Sequence, residues 1–167
     1  MSLSASMKLT VSASLSRALD LVTAQSPMVK SALLAFSDGA GANQADRVFH
    51  DTRTIAASGN EDLDLAGSLT DVYGQTITFA RIKGVIIIAS SGNTNNVNVS
   101  RPASNGVPLF LAASDGLAVK PGGFFAWGSP DASGVAVTAG TGDLLNIANS
   151  GGTTGVTYDV IIIGAAS

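Results

Sequence analysis

Cysteine is absent from this chain. That excludes disulfide cross-links and thiolate metal sites, and it leaves redox compartment unreadable. Charge is scarce: Asp, Glu, Lys and Arg make up 13% of 167 residues, about half the usual globular share. The net charge is -3, and the nine Lys and Arg are scattered from Lys8 to Lys120. Without a basic stripe, nucleic acid is not an expected partner. Aromatics are few at 5%, and His50 is the single histidine. Long apolar runs are also missing. Val85 to Ala89, Leu109 to Ala113 and Val160 to Ile163 fall far short of the ~20 residues a spanning helix needs. The start, Met1-Ser2-Leu3-Ser4, lacks a charged residue ahead of an apolar stretch, so no signal peptide is expected.

What is present is a 46% apolar fraction with 19 Gly. Disordered chains are charge-rich and poor in β-branched residues, so a folded domain is expected, and 167 residues suit one. Little charge beside ample apolar content implies that much surface is covered by copies of the same chain. The alternative is a monomer coated in Ser, Thr and Asn.

The pattern along the chain is that of strands separated by turns. Leu9, Val11, Ala13 and Leu15 alternate with Lys8, Thr10, Ser12 and Ser14, a period of two that predicts a half-buried strand. Met28 to Phe36, preceded by Ser26-Pro27 and followed by Asp38-Gly39, fits a capped helix as well as a strand. Its surroundings favour a strand. The loop Ser37 to Gln44 divides an N-terminal arm, residues 1–44, from a body, residues 45–167. In the body, Arg47 to Ala56 and Glu61 to Leu65 flank Ser58-Gly59-Asn60 and read as a hairpin. Thr76 to Ser90 and Val156 to Gly164 are expected to be the central strands. The solid run Val85-Ile86-Ile87-Ile88 predicts a strand covered on both faces. Short strands recurring every 8–12 residues or so predict an all-β fold: an antiparallel β-sandwich or jelly roll carrying an extended N-terminal arm.

Candidate chemistry is thin. His50 and Asp51 are adjacent on a strand, so they point to opposite faces and form no acid/base pair. No Gly-x-Ser-x-Gly elbow supports a nucleophilic triad. Among twelve acids Glu61 is the only Glu. Asp38, Asp115, Asp131 and Asp143 sit where turns use the carboxylate to bond local backbone. Asn60-Glu61-Asp62-Leu63-Asp64 offers hard oxygen ligands for Ca²⁺, but not at EF-hand spacing. Ala139-Gly140-Thr141-Gly142-Asp143 has no following Lys and precedes a strand, so it reads as a turn rather than a phosphate cradle. Neither a metal nor a cofactor is expected, nor is an enzyme. Phe124, Phe125 and Trp127 form the densest aromatic group. They suit core and rim packing, a sugar platform, or an anchor between subunits. The candidate interface residues are Leu9, Val11, Leu15, Phe36, Phe125 and Trp127.

Several segments carry a resemblance: Ala45 to Ile55 with Asp46-Arg47-Val48-Phe49-His50-Asp51, Glu61 to Gly67, Gly74 to Lys83, Pro121-Gly122-Gly123, Ala136 to Leu145, and Tyr158 to Gly164. Together they resemble a group of virion structural proteins of tailed bacteriophages and prophages. The resemblance spans residues 45 to 164 and involves strand and turn residues. It implies a virion part and no catalytic site, and it leaves open which part; assembly in a host cytoplasm is expected. A small, mildly acidic sandwich with an N-terminal arm suits a capsid decoration protein, so the expected partners are the chain itself as a homo-oligomer, taken as a trimer, and the major capsid protein or another virion protein. A tail, collar or baseplate component and a glycan- or receptor-binding module are the alternatives.

Overall fold

A computed structural model describes residues 2–167. Among them there is no helix, and every pairing between named strands is antiparallel. The all-β expectation holds. The first two strands, β1 (Ala5–Ala18) and β2 (Thr23–Phe36), form a hairpin of their own with fourteen paired positions. The stretch that also suited a helix is therefore strand. Pro27, which donates no ladder hydrogen bond, is tolerated because a two-stranded ribbon has a free edge on each side.

The body is a pair of facing sheets. Its long strands are β3 (Arg47–Ile55), β4 (Asn60–Asp64), β7 (Arg81–Ala89), β8 (Val97–Ser100), β9 (Gly116–Val119), β10 (Phe124–Gly128), β12 (Leu144–Asn149) and β13 (Val156–Ala165). Short pieces β5 (Leu69–Thr70) and β6 (Thr76–Ile77) pair only with each other, and β11 (Val135–Ala136) is a short strand of the larger sheet. One sheet has the order β10-β7-β13-β3, with β11 also on β7, and the other has β4-β12-β8-β9. The central positions expected for the Val85 and Val160 runs are found: β7 and β13 are neighbours inside the larger sheet. The Thr76 to Ser90 stretch is broken at residues 78–80, where Phe79 is buried and its N–H donates to Leu65 O at 2.9 Å.

The expected β3–β4 hairpin does not form. The turn at Ser58-Gly59 is there, but β3 pairs with β13 and β4 with β12, in different sheets. Alternation marks a strand without naming its partner. Here Phe49 and Ile55 on one strand and Leu63 on the other are buried in one core between the sheets. That core also holds Leu65, Phe79, Val85, Ile87, Ile147, Tyr158 and Ile162, each buried.

Candidate functional site

The outer faces of the two sheets differ in chemistry. On the smaller sheet, Asn146 donates to Asp62 Oδ1 at 2.7 Å and Ser100 lies against Asn146, a wetted amide and hydroxyl surface. On the larger sheet the register lines up Phe124, Ile88 and Asp159 in one row, Ala126, Ile86, Ile161 and His50 in the next, and Gly128, Gly84, Ile163 and Val48 in a third. The inward partners of these residues fill the core, so the rows face out.

The third row is covered by the base of the β1–β2 hairpin. Phe36 is buried with Ile163 and Ala45, while Met7 and Leu34 pack alongside. The contact is close because both strands under it carry glycine. A methyl group on Gly84 would stand 2.5 Å from Met7 Sδ, and one on Gly128 would stand 2.6 Å from Leu34 Cδ1. Beyond that base the hairpin is bare: every residue from Lys8 to Leu33 is exposed. Of the fourteen exposed large hydrophobic residues in the described chain, nine lie between Leu9 and Leu33, so exposure is concentrated on this ribbon. Cross-strand pairing puts Leu9, Val11, Ala13 and Leu15 on one face with Ala32, Lys30, Met28 and Ser26. The opposite face carries the hydroxyl ladder, where Thr10 and Ser31 approach to 3.0 Å.

Between this apolar ribbon face and the first two sheet rows runs an open groove of about 470 Å³. Leu9, Ala32 and Leu34 line one wall, and Ile86, Ile88, Phe124 and Ala126 line the other. Phe124 is 63% exposed. The solid β7 run is therefore covered on both faces only in part: Val85 and Ile87 are buried, but Ile88 is 39% exposed. Expected interface residues Leu9, Val11 and Leu15 fall on the exposed ribbon. Phe36 is spent within the chain, at the hairpin base. Phe125 and Trp127 turn inward and pack half-buried on the main core, with Phe125 stacked on Phe110 at 6.1 Å between ring centroids. The exposed aromatic is Phe124, their neighbour. Sequence reading did not assign the groove walls Ile86, Ile88 and Ala126; the uninterrupted β-branched run was the signal for them.

The polar candidates are occupied structurally. Glu61 Oε2 accepts from Arg53 Nε at 2.7 Å and Nη2 at 2.6 Å, and its Oε1 accepts from Tyr158 Oη at 2.9 Å. This carboxylate and burial together push the Tyr158 hydroxyl pKa upward, with burial the larger cause. The Arg53 guanidinium is pushed up too, first by its hydrogen bond to Glu61. His50 is exposed on the outer face, while Asp51 lies on the other face and accepts from Arg53 at 3.0 Å. A polar hollow of about 360 Å³ runs past Asp51, Arg53, Asp62 and Asp71. Of its acids, Asp71 is tied to the Tyr73 and Gln75 N–H groups and Asp62 to Asn146. No three potential metal ligands converge among the described residues. Three of the turn acids act as turns: Asp115 caps Ala112 N, Asp131 caps Gly134 N, and Asp143 caps Gly140 N. Asp38 does not: it accepts from Leu3 N at 2.9 Å, fastening the chain's start to the loop after the hairpin. Lys83, unremarked in sequence, is buried and donates from Nζ to the Ala40 and Gly41 carbonyls. Desolvation lowers its pKa, and its bonds pin the loop that follows the hairpin. Comparison with family models, curated proteins and solved structures returns no match.

Proposed function

We propose that this chain is a structural subunit of a bacteriophage particle, a capsid decoration protein that acts by contact and not by catalysis. The observation that carries the reading is the continuous apolar surface formed by the exposed ribbon face and Ile86, Ile88 and Phe124. Monomeric proteins rarely leave such a surface uncovered, and large exposed patches mark association sites. The resemblance of residues 45–164 to phage virion proteins gives the assembly its kind.

Strand order supports a jelly roll. Counted in chain order, the eight long body strands pair first with eighth, second with seventh, third with sixth and fourth with fifth. Those nested pairs are what a single long antiparallel ribbon gives when it rolls up on itself, an architecture common in viral capsid domains. The β1–β2 hairpin is then the N-terminal arm, reaching from the body to neighbouring subunits. A major capsid protein is the shell partner this reading implies. A glycan platform is less well supported, because Trp127 packs inward and leaves Phe124 without an aromatic neighbour on its face.

Electron microscopy of purified particles tests the reading. The expected result is many copies of this chain on the outer head shell. Copies confined to the tail or baseplate, or none at all, would replace it. A second test removes residues 1–44: the remaining body should fold yet fail to sediment with particles.

A further inference from the structure

The groove and the free end of the hairpin match each other but cannot meet within one chain. The arm itself forms one wall of its own groove, near Leu9 and Ala32. Its tip, at Leu19 to Val22, lies about ten residues farther along, roughly 30 Å away at strand rise. The whole ribbon is about 45 Å long at that rise, while a body of this size is roughly 35 Å across. The tip therefore reaches past its own body.

Its chemistry suits the groove. Leu21 is 95% exposed, Val22 63% and Leu19 50%, all at the turn. The groove offers Ile86, Ile88, Phe124 and Ala126. Charges complement as well: the tip carries Asp20 and Arg17, and the groove is bordered by Lys8 and, in the Phe124 row, Asp159. The tip supplies Leu19, Leu21 and Val22 and the adjoining ribbon face Leu15, about 400 Å² of apolar side chain at roughly 100 Å² apiece, half the ~800 Å² per partner of a standard interface, so a single seat is small and gains from repetition around an assembly.

Lys30 decides the symmetry. It lies mid-ribbon on the apolar face, opposite Val11. Packing two ribbons face to face about a two-fold axis would set two Lys30 ammonium groups against each other, whereas a head-to-tail contact would not. We propose that the hairpin tip of one copy seats in the groove of a second copy, in a heterologous contact repeated around a closed ring. Two copies that exchanged tips would run their ribbons past each other at Lys30, so with that pairing disfavoured three copies are the smallest ring. This interface rests on the ribbon and groove alone and needs no particle.

The absence of cysteine makes cross-linking clean. A Leu21→Cys, Ala126→Cys double variant of the full chain, oxidised and run without reductant, should give covalent multimers ending at the ring. Each single variant should stay at the mass of one chain. Light scattering of the unmodified protein at tens of micromolar should give the ring mass. Leu15→Asp with Leu21→Asp should reduce it to one chain with an unchanged circular dichroism spectrum, since both positions are exposed. A one-chain mass for the unmodified protein, an unreduced mass for the Asp variant, or cross-linking of Lys30→Cys alone would overturn the proposal. None of these outcomes bears on whether the chain is found on particles, which imaging answers separately.

Discussion

At the level of single residues, the tightest polar device is the Arg53–Glu61–Tyr158 cluster joining the two sheets. Tyr158 is 1% exposed, and its hydroxyl finds Glu61, so a buried donor is satisfied by a charged acceptor. Tyr158→Phe should destabilise the body by about 1–2 kcal/mol, measured by urea unfolding, because Glu61 keeps only Arg53. The same cluster sets a pH dependence. The folded pKa of Tyr158 is raised above its ordinary value of 10.0. The folded chain then holds a proton that the unfolded chain releases, so Tyr158's contribution is present in full below pH 10 and is lost as pH climbs above it. In a Tyr73→Phe background, native protein at pH 11 should show little tyrosinate absorbance, and unfolding at that pH should produce it. Absorbance that is equal in both states would contradict the burial argument. These roles were only partly legible. Three of the four turn acids were, since Asp bonds nearby backbone, but Asp38 accepts from Leu3 N, 35 residues away. The duty of Glu61 was not, because both partners come from the other sheet: Arg53 across a turn that read as a hairpin, and Tyr158 from 97 residues along the chain. Lys83 was hidden for a related reason: it sits near a register shift in the β7–β13 ladder that no local pattern announces.

Among the elements, the hairpin departs furthest from self-sufficiency. A two-stranded ribbon is marginal in water without a third strand or a packed face. Only its base, at Met7, Leu34 and Phe36, has such support. Amide exchange should therefore be fast from Thr10 to Ser31 in dilute protein and slow in β7 and β13. Raising the concentration until copies associate should protect the distal ribbon selectively. Gly84→Ala tests the base: its new methyl would press on Met7 Sδ, the flexible end of a half-buried side chain, so Met7 should swing aside and the body should lose no more than about 1 kcal/mol in urea unfolding, with Phe36 still buried. The alternation of Leu9, Val11, Ala13 and Leu15 marked β1 correctly, yet alternation reports only that one side avoids water. Whether a strand's own body or another molecule supplies the cover is outside its reach. The run Val85 to Ile88 makes the same point in reverse. It announced cover on both faces, and the single chain provides it fully on one.

At the scale of the whole molecule, body and arm have separable energetics. The main core lies between the two body sheets, whereas the hairpin touches a second, small cluster around Phe36, Ala45 and Ile163. Removing residues 1–36 strips Phe36 and Met7 from that cluster and leaves Ile163 and Val48 facing water, but it cuts no ladder of the eight long body strands. Re-exposing a few aliphatic groups at ~25 cal/mol per Å² costs about 2–4 kcal/mol, within the typical reserve of a domain this size. The truncated body should thus unfold in one cooperative transition, at a melting temperature lower by several degrees. Its refolding should be slow in both forms. Nested pairing brings the first body strand to the last, so distant segments must meet before most contacts form. A truncated body that is molten, or that unfolds in two steps, would show that the hairpin base belongs to the folding unit and is not an appendage docked on it.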